Sequence, residues 1–328
     1  MKAIVVDRNR PGRPLLWQEV ADPSCGEDDV IVDVQATALN RADLLHREGN
    51  FPTTAGRSDL LGGEAAGRIR EVGNAVRGWS IGDSVVCLTL GGGYAEQVRV
   101  PQRLLMPVPT GLSIVESAAL PEAYLTAYAN LFINARLEAG ETVLIHSGAS
   151  GVGTAAIQLA RLAGCRVVVT VGSAEKARLC EALGADLAIR YHEEDFVARA
   201  LEFGGGEGVD VILDTVGGAY LERNLELLAL KGRLLLIGIL GGTQTEINMR
   251  QIISKRLAIL GDTLSKYSVA ELADMKDAFL RDFGQTLDDG RLKPVVDSVF
   301  PIQEAERAHQ RMAENKNVGK IILTVREH

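Results

Sequence analysis

The sequence predicts an α/β protein in which a β-rich segment is followed by a doubly wound, mostly parallel sheet. Three observations support this fold class. A glycine-rich turn separates a β-branched run from helical spacing at residues 141–162, strand-like and helix-like segments alternate after it, and residues 1–119 show short apolar runs between glycine turns. With 328 residues, 46% of them hydrophobic, the chain is long enough for about two domains with buried cores.

The glycine-rich turn predicts a dinucleotide site. Residues 142–146 form a short apolar run, residues 147–153 are small residues and glycines, and residues 154–162 return to helical spacing. Gly148, Gly151 and Gly153 allow a sharp turn and a close approach to a pyrophosphate, whose charge would face the free N–H groups of the following helix. The spacing departs from G-x-G-x-x-G because Ser150 stands at the middle glycine, where its hydroxyl is expected to support the phosphate loop.

The alternation downstream of this turn completes the predicted sheet. Helical spacing is found at residues 173–183 and 220–228. Strand-like runs follow the first strand at residues 166–171, 186–190, 209–214, 233–239 and 257–260. A doubly wound sheet of this kind binds its ligand in the crevice outside the carboxyl ends of the strands.

The residues before and after this region predict a second, β-rich domain. Short apolar runs at residues 3–6, 30–34, 67–72 and 84–88 indicate an all-β barrel or sandwich, and residues 121–136 show helical spacing and are expected to link the domains. The end of the chain predicts a helix at 269–280, a strand at 295–300, a helix at 302–314 and a strand at 320–325, which would rejoin the first domain. The predicted boundaries are 1–120, 121–262 and 263–328.

Composition and charge exclude several classes of partner. A formal charge of -8 argues against a protein that binds nucleic acid or anionic lipid surfaces, so a small organic substrate fits better. The four cysteines form no C-x-x-C pair, and no uninterrupted apolar run approaches 18 residues. The cytoplasm is the expected compartment.

Several motifs, in this order along the chain, resemble the medium-chain dehydrogenase/reductase superfamily. They are Asn40-Arg-Ala-Asp43, Leu61-Gly-Gly-Glu-Ala-Ala-Gly67, Gly82-Asp-Ser-Val85, Gly92-Gly-Tyr-Ala-Glu96 and Ser150-Gly-Val-Gly153. Within it the quinone oxidoreductases are most similar, and residues 308–323 resemble the group inducible by a tumour suppressor. The resemblance spans essentially the whole chain. It implies a GroES-like β-barrel domain on the substrate side, a doubly wound Rossmann domain, an active cleft between them and a homodimer joined through the Rossmann sheet edge.

The resemblance also implies that this chain binds no catalytic zinc. At the three positions where the zinc enzymes of the superfamily carry ligands, this sequence has Asn40, Gly63 and a residue near Glu122. Glu64 alone cannot hold Zn²⁺, which needs three or four ligands. The segment that would carry four structural cysteines is shortened to the turn at residues 91–93. We therefore expect no metal.

The end of the second Rossmann strand predicts NADPH rather than NADH. An NAD site places Asp or Glu there, whereas this chain has Gly172, followed by Ser173 and, one helical turn on, Lys176. These residues leave space for a 2′-phosphate and supply a hydroxyl and a positive charge. The family resemblance adds Tyr191 as a further residue in contact with the 2′-phosphate. The alternative is that Lys176 is an ordinary solvated helix residue.

The remaining cofactor and substrate contacts come from the family resemblance alone. Asn40, Asp43 and Thr126 would lie beside the nicotinamide half, and Ser150, Gly151 and Val152 beside the pyrophosphate. Ile239, Leu264 and Asn317 would line the remainder of the cofactor site. Phe51 occupies a substrate-cleft position where relatives often have tyrosine, so a hydroxyl that could orient a quinone oxygen is missing.

Without a metal, the sequence favours reduction of activated acceptors. Hydride transfer to a quinone or conjugated enone delocalises the arriving electrons, so positioning beside a bound nicotinamide suffices. The sequence shows no obvious acid–base pair, and only Asn40 and His46 are candidates for a catalytic role. Of the other histidines, His146 is expected to be a structural hydrogen-bonding group, and His192 and His309 are expected to lie in polar surroundings. Two alternatives remain open: an enoyl thioester reductase, and a non-catalytic NADPH-binding sensor or structural protein.

Overall fold

The computed structural model describes residues 1–50 and 57–325, and the chain divides into two compact units. The first unit spans Met1–Leu125 and Ser265–His328, and the second spans Thr126–Leu264. The domain boundaries predicted from the sequence, after residues 120 and 262, stay predictions. Among the described residues, no helix is both long enough and apolar enough to cross a lipid bilayer.

The amino-terminal part of the first unit is built mainly from strands. In chain order they are β1 (Lys2–Val6), β2 (Leu15–Glu19), β3 (Asp29–Ala38), β4 (Glu64–Val72), β5 (Ser84–Leu88), β6 (Gln97–Pro101) and β7 (Leu105–Pro107). The all-β prediction for this segment was wrong in one respect, because it also contains the short helices α1 (Arg41–Arg47) and α2 (Ile114–Ser117). Both helices begin with capping boxes, which stabilise short helices that hydrophobic periodicity does not reveal.

The second unit begins within a helix, α3 (Pro121–Tyr128), that continues into a π-helical turn at Ala129–Asn134. Its strands are β8 (Thr142–Ile145), β9 (Arg166–Val171), β10 (Leu187–Arg190), β11 (Val209–Asp214), β12 (Leu228–Leu236) and β13 (Ala258–Gly261). Its helices are α4 (Gly151–Leu162), α5 (Ala174–Ala182), α6 (Phe196–Phe203), α7 (Leu221–Leu227) and α8 (Met249–Lys255). The alternation of strands and helices predicted from the sequence is confirmed.

The six strands of the second unit form one parallel sheet in the order β10-β9-β8-β11-β12-β13. The chain moves outward from β8 to β10 and then returns to the other side of β8 with β11. The strand order therefore reverses beside β8, and a doubly wound sheet binds its ligand at such a point. Leu144, Val168, Ile212 and Leu234 of the four central strands are fully buried and form one apolar cluster with the helices.

The carboxyl-terminal part of the chain completes the sheet of the first unit. It contains α9 (Val269–Asp288), β14 (Val296–Pro301), α10 (Ala305–Ala313) and β15 (Lys320–Thr324). Strand β15 pairs antiparallel with β3, so the sheet has the order β14-β15-β3-β4-β5-β7, and β6 also pairs with β3. This pairing brings the last strand of the chain next to residues near position 40.

Helix α9 is longer than the predicted segment 269–280. Its buried residues Leu272, Met275, Phe279, Phe283 and Leu287 continue the helical spacing through Gly284, where the sequence prediction had already ended. The Phe279 ring is 1% exposed and lies with its centroid 6.2 Å from that of Tyr124. The aromatic pair therefore packs α9 against the first half of α3 within the first unit.

We expect Phe279→Ala to lower the free energy of unfolding by about 3–5 kcal/mol, because it leaves a cavity among buried rings. The matched control is Arg281→Ala on the same helix. Its exposed side chain pairs with Asp282, and its loss should cost less than about 0.5 kcal/mol. Urea unfolding measures both. A Phe279→Ala cost below about 1 kcal/mol would contradict the assigned packing.

Candidate active site

A buried ion pair forms the centre of a polar cluster in the first unit. The Lys320 ammonium donates hydrogen bonds to Glu64 Oε1 at 2.7 Å, to the Leu39 carbonyl oxygen at 2.8 Å and to Asn40 Oδ1. The Asn40 amide also donates to Glu64 Oε1 at 2.8 Å. Lys320 and Glu64 are 3% and 0% exposed, so the pair is shielded from water.

Asp43 adds a second carboxyl group to this cluster. The backbone N–H groups of Asn40 and Gly62 donate to its two oxygens at 2.8 and 3.0 Å, and the Tyr94 hydroxyl lies 3.3 Å from Oδ2. Burial raises the pKa of Asp43 to about 6, against the lowering effect of these two N–H donors. Asp43 thus fixes the start of α1 and holds the turn at Gly62.

Glu122, at the start of α3, is the third carboxyl group. Its backbone N–H donates to Glu64 Oε2 at 2.8 Å, so both oxygens of Glu64 are hydrogen bonded. A Cβ atom built on Gly63 would lie 2.2 Å from Glu122 Oε2, which means that the carboxyl group of Glu122 occupies the space over Gly63. Burial, followed by the charges of Glu64 and Asp43, raises the pKa of Glu122 to about 8.

The family resemblance places the ligands of zinc enzymes at Asn40, at Gly63 and near Glu122. These residues lie together in the cluster, but their chemistry does not fit a zinc site. Asn40 contributes an amide that is bonded to Glu64 and Lys320, and Gly63 contributes no side chain. A positively charged ammonium group already contacts the most buried carboxylate. Within residues 1–50 and 57–325, no group of three His, Cys, Asp or Glu side chains could hold a metal ion.

In the second unit, the glycine-rich turn ends in a capped helix. Ser150 is the N-cap of α4, and its Oγ accepts a hydrogen bond from the Gly153 N–H at 3.0 Å. This explains why serine can replace the middle glycine of the motif: its side chain stabilises the turn. The N–H groups of Gly151 and Val152, in the same first turn, have no acceptor within the helix by geometry and are suited to an anion.

A buried chain of hydrogen bonds fixes the strand ends beneath this turn. His146 Nε2 lies 2.8 Å from Asn224 Oδ1, and the Asn224 amide donates to Asp214 at 3.0 Å. Because the Asn224 oxygen must then be an acceptor, His146 carries its proton on Nε2 and its Nδ1 accepts from the Thr170 hydroxyl. Burial lowers the pKa of His146 to about 4, so the ring is neutral. The structural role predicted for His146 is confirmed.

The residues predicted around a 2′-phosphate lie together after β9 and β10. Ser173 is the N-cap of α5 and accepts from the Lys176 N–H at 3.2 Å, which leaves its hydroxyl proton available to an anion. A Cβ on Gly172 would lie 2.9 Å from the Tyr191 hydroxyl, so glycine permits the close approach of this tyrosine. Tyr191 is 40% exposed. The glycine, serine and tyrosine form an open polar cradle.

The other predicted site residues are distributed over both units. Asn40, Asp43 and Asn317 belong to the first unit, and Thr126, Ile239 and Leu264 to the second. The Asn317 amide donates to the Gly319 carbonyl oxygen, and Ile239 is 57% exposed. Phe51 lies outside the described residues. The role of each of these residues stays a prediction.

The prediction for His309 was wrong, and the catalytic role considered for His46 stays a prediction. His309 does not lie in polar surroundings, because it stands on the face of α10 that packs towards the core. It is 1% exposed, and its Nε2 lies 3.3 Å from the Tyr94 hydroxyl. Burial lowers the pKa of His309 to about 3. His46 is partly buried on α1, and none of the described residues hydrogen bonds its Nε2.

Sequence reasoning missed Lys320 and Tyr94, which complete the cluster. Lys320 starts β15, its next three residues are apolar, and every residue from Lys320 to Leu323 is buried. A buried lysine in a strand is unusual and usually has a charged partner. Lys320 was therefore the sequence signal that could have revealed the buried cluster. Tyr94 is fully buried and carries a hydroxyl that needs a partner.

Comparison with known proteins identifies both halves of the chain. The family model described as "Alcohol dehydrogenase GroES-like domain" matches residues 26–110, and the one described as "Zinc-binding dehydrogenase" matches residues 151–279. These matches confirm the predicted fold class of a GroES-like domain with a Rossmann domain. The second description names zinc, although the residues Asn40 and Gly63 do not fit a zinc site in this chain.

Relatives of the whole chain agree with these matches. A quinone oxidoreductase from Rattus norvegicus is 32% identical over 310 residues, which cover 94% of this chain and 92% of the relative. A mycobacterial protein solved in complex with NADPH is 29% identical, with a TM-score of 0.87 and 99% of each chain covered. The CurK enoyl reductase is 28% identical, with a TM-score of 0.84 and 98% of each chain covered. The chain therefore belongs to the medium-chain dehydrogenase/reductase superfamily and is an oxidoreductase related to the quinone oxidoreductases.

Proposed function

We propose that this protein reduces quinones or other conjugated carbonyl compounds with NADPH, by direct hydride transfer and without a metal ion. The observation that carries the proposal is the cluster around Lys320. At the positions where the family resemblance places zinc ligands it has the amide of Asn40 and the glycine Gly63, and the neighbouring carboxylate of Glu64 is already paired with the Lys320 ammonium. The quinone oxidoreductase relatives support the choice of acceptor.

The chemistry of the acceptor explains why such a site suffices. Reduction of a simple ketone develops a localised alkoxide, which needs a Lewis acid or a strong proton donor. In a quinone or an enone, the arriving charge spreads over a conjugated system. The bound cofactor supplies the hydride, and the protein contributes positioning and a few polar groups.

The cradle at Gly172, Ser173 and Tyr191 supports NADPH as the cofactor, with Lys176 as the cation for the 2′-phosphate. A relative solved with NADPH is consistent with this choice. Further contacts are proposed from the family resemblance. They involve Asn40, Asp43, Thr126, Gly148, Ser150, Gly151, Val152, Gly153, Ile239, Leu264 and Asn317.

The first test measures NADPH oxidation by the purified protein after treatment with a chelator. With 1,2-naphthoquinone or a cyclic enone as acceptor, we expect steady turnover that added Zn²⁺ does not increase, because the site holds an ammonium group in place of metal ligands. Absence of turnover with every quinone and enone in the panel would refute the proposal.

An enoyl thioester reductase is the second candidate, and the similarity to the CurK enoyl reductase favours it. The same panel separates the two functions when crotonyl thioesters are included. Faster turnover of thioesters than of quinones would select the enoyl reductase. Tight NADPH binding without turnover of any acceptor would select the non-catalytic sensor.

Cofactor preference gives a separate prediction. Lys176→Ala should weaken NADPH binding by about tenfold, or about 1.4 kcal/mol, and leave NADH binding unchanged, because only NADPH carries the 2′-phosphate. Arg178→Ala, an exposed cation on the same helix, is the matched control and should change neither affinity. Calorimetric titration with both nucleotides measures the difference. Equal losses for NADPH and NADH would contradict the assignment of Lys176.

We also propose a homodimer joined through the edge of the second unit's sheet. Strand β13 is the last strand of that sheet, and Ile259 on β13 and Ile253 on α8 are 36% and 75% exposed. Sedimentation should find two chains per particle, and Ile259→Lys should produce single chains because a charge blocks edge pairing. Leu162→Lys on α4 is the control. A wild-type protein that sediments as a single chain contradicts the dimer.

The cytoplasm, expected as the compartment from the sequence, stays a prediction.

A further inference from the structure

The cluster around Lys320 contains more acidic groups than one ammonium can neutralise. Asp43 on α1, Glu64 on β4 and Glu122 on α3 converge there, and Lys320 on β15 is the cation in direct contact with a carboxylate. Two cations, Lys320 and Arg57, act on Glu122 and favour its ionised form. Burying three carboxylates with so little compensation costs more free energy than keeping one of them protonated.

The hydrogen bonds indicate which carboxyl group keeps its proton. Glu64 accepts from the Lys320 ammonium, the Asn40 amide and the Glu122 N–H, so its ionised form is stabilised. Asp43 accepts from two backbone N–H groups. Glu122 lies between these two anions, and their charges, together with its burial, raise its pKa to about 8. At neutral pH, Glu122 is therefore the protonated member of the cluster.

Glu122 is also the least buried of the three acidic residues in the cluster. Asp43 and Glu64 are 5% and 0% exposed, whereas Glu122 is only partly buried. Its Oε2 lies over Gly63, which has no side chain of its own. A group that holds a proton at neutral pH and stays in contact with solvent can release that proton and regain it in each reaction cycle.

We propose that Glu122 is the general acid that protonates the reduced acceptor. The inference rests on the proposed function. Hydride delivery carries two electrons to the conjugated carbonyl and leaves an oxyanion. The Glu122 O–H bond then breaks, a new O–H bond forms on the product oxygen, and the carboxylate recovers a proton from water. Glu64 and Lys320 act as positioning residues, because they fix the carboxyl group through the backbone of Glu122 and through charge.

The test of proton delivery is the pH profile of kcat with the acceptor that the wild-type enzyme reduces fastest. Wild-type kcat should fall as pH rises through about 8, where Glu122 loses its proton. Glu122→Gln should lower kcat by about 100-fold at pH 7 and remove this alkaline decline together with the solvent isotope effect. Glu122→Asp, which keeps a carboxylic acid, should restore part of both.

A second measurement requires no turnover. The pKa of Glu122 is raised from 4.5 to about 8 in the folded protein, so between these values the folded state holds a proton that the unfolded chain lacks. Wild-type stability relative to Glu122→Gln should therefore be greatest at low pH and should fall as pH rises through this window. Urea unfolding of both proteins at several pH values measures the difference, and NADPH binding verifies that the variant is folded.

The outcomes separate this inference from the proposed function. A Glu122→Gln variant that keeps kcat within twofold and retains the alkaline decline would overturn the general acid while the reductase stands. A stability difference that does not change with pH would overturn the protonated state. A wild-type enzyme that turns over no acceptor would overturn the proposed function and the role of Glu122 together.

Discussion

The buried contact between Lys320 and Glu64 is the interaction on which the organisation of the first unit's site depends. It joins β15 to β4, and the same ammonium holds the carbonyl oxygen of Leu39 and the side chain of Asn40 at the start of α1. Removing one partner of such a pair leaves an uncompensated buried charge, which typically costs about 3–5 kcal/mol. The pair therefore ties residues that are 256 positions apart in the sequence to one geometry.

The same pair limits how much negative charge the cluster can carry. One ammonium in direct contact stabilises Glu64, and backbone N–H groups support Asp43. The third carboxyl group, that of Glu122, is partly buried and faces the charges of these two anions. Protonating Glu122 relieves this repulsion without a second buried cation. A reactive proton is thus a consequence of the number of charges that the fold buries together.

The sequence predicted most elements of the second unit because its strands are continuous apolar runs between glycine turns, as in β9 at 166–171 and β11 at 209–214. The charged cluster was harder to predict. Its members come from four separate elements, and only the pairing of β15 with β3 brings Lys320 to Asn40. His309 was misjudged for the same reason: neighbouring residues in the sequence are polar, yet α10 turns this one towards Tyr94.

The two units use different chemistry to position their polar groups. In the second unit, His146, Asn224 and Thr170 form a neutral chain that fixes the strand ends under the glycine-rich turn. In the first unit the polar groups are charged, and the family resemblance places the ligands of zinc enzymes among them. Since one fold hosts many reactions, the residues of a site select the reaction, and we propose that this cluster does so here. Asn40 and Gly63 offer no good metal ligand, and the ion pair of Lys320 with Glu64 leaves Glu122 as the proposed proton donor.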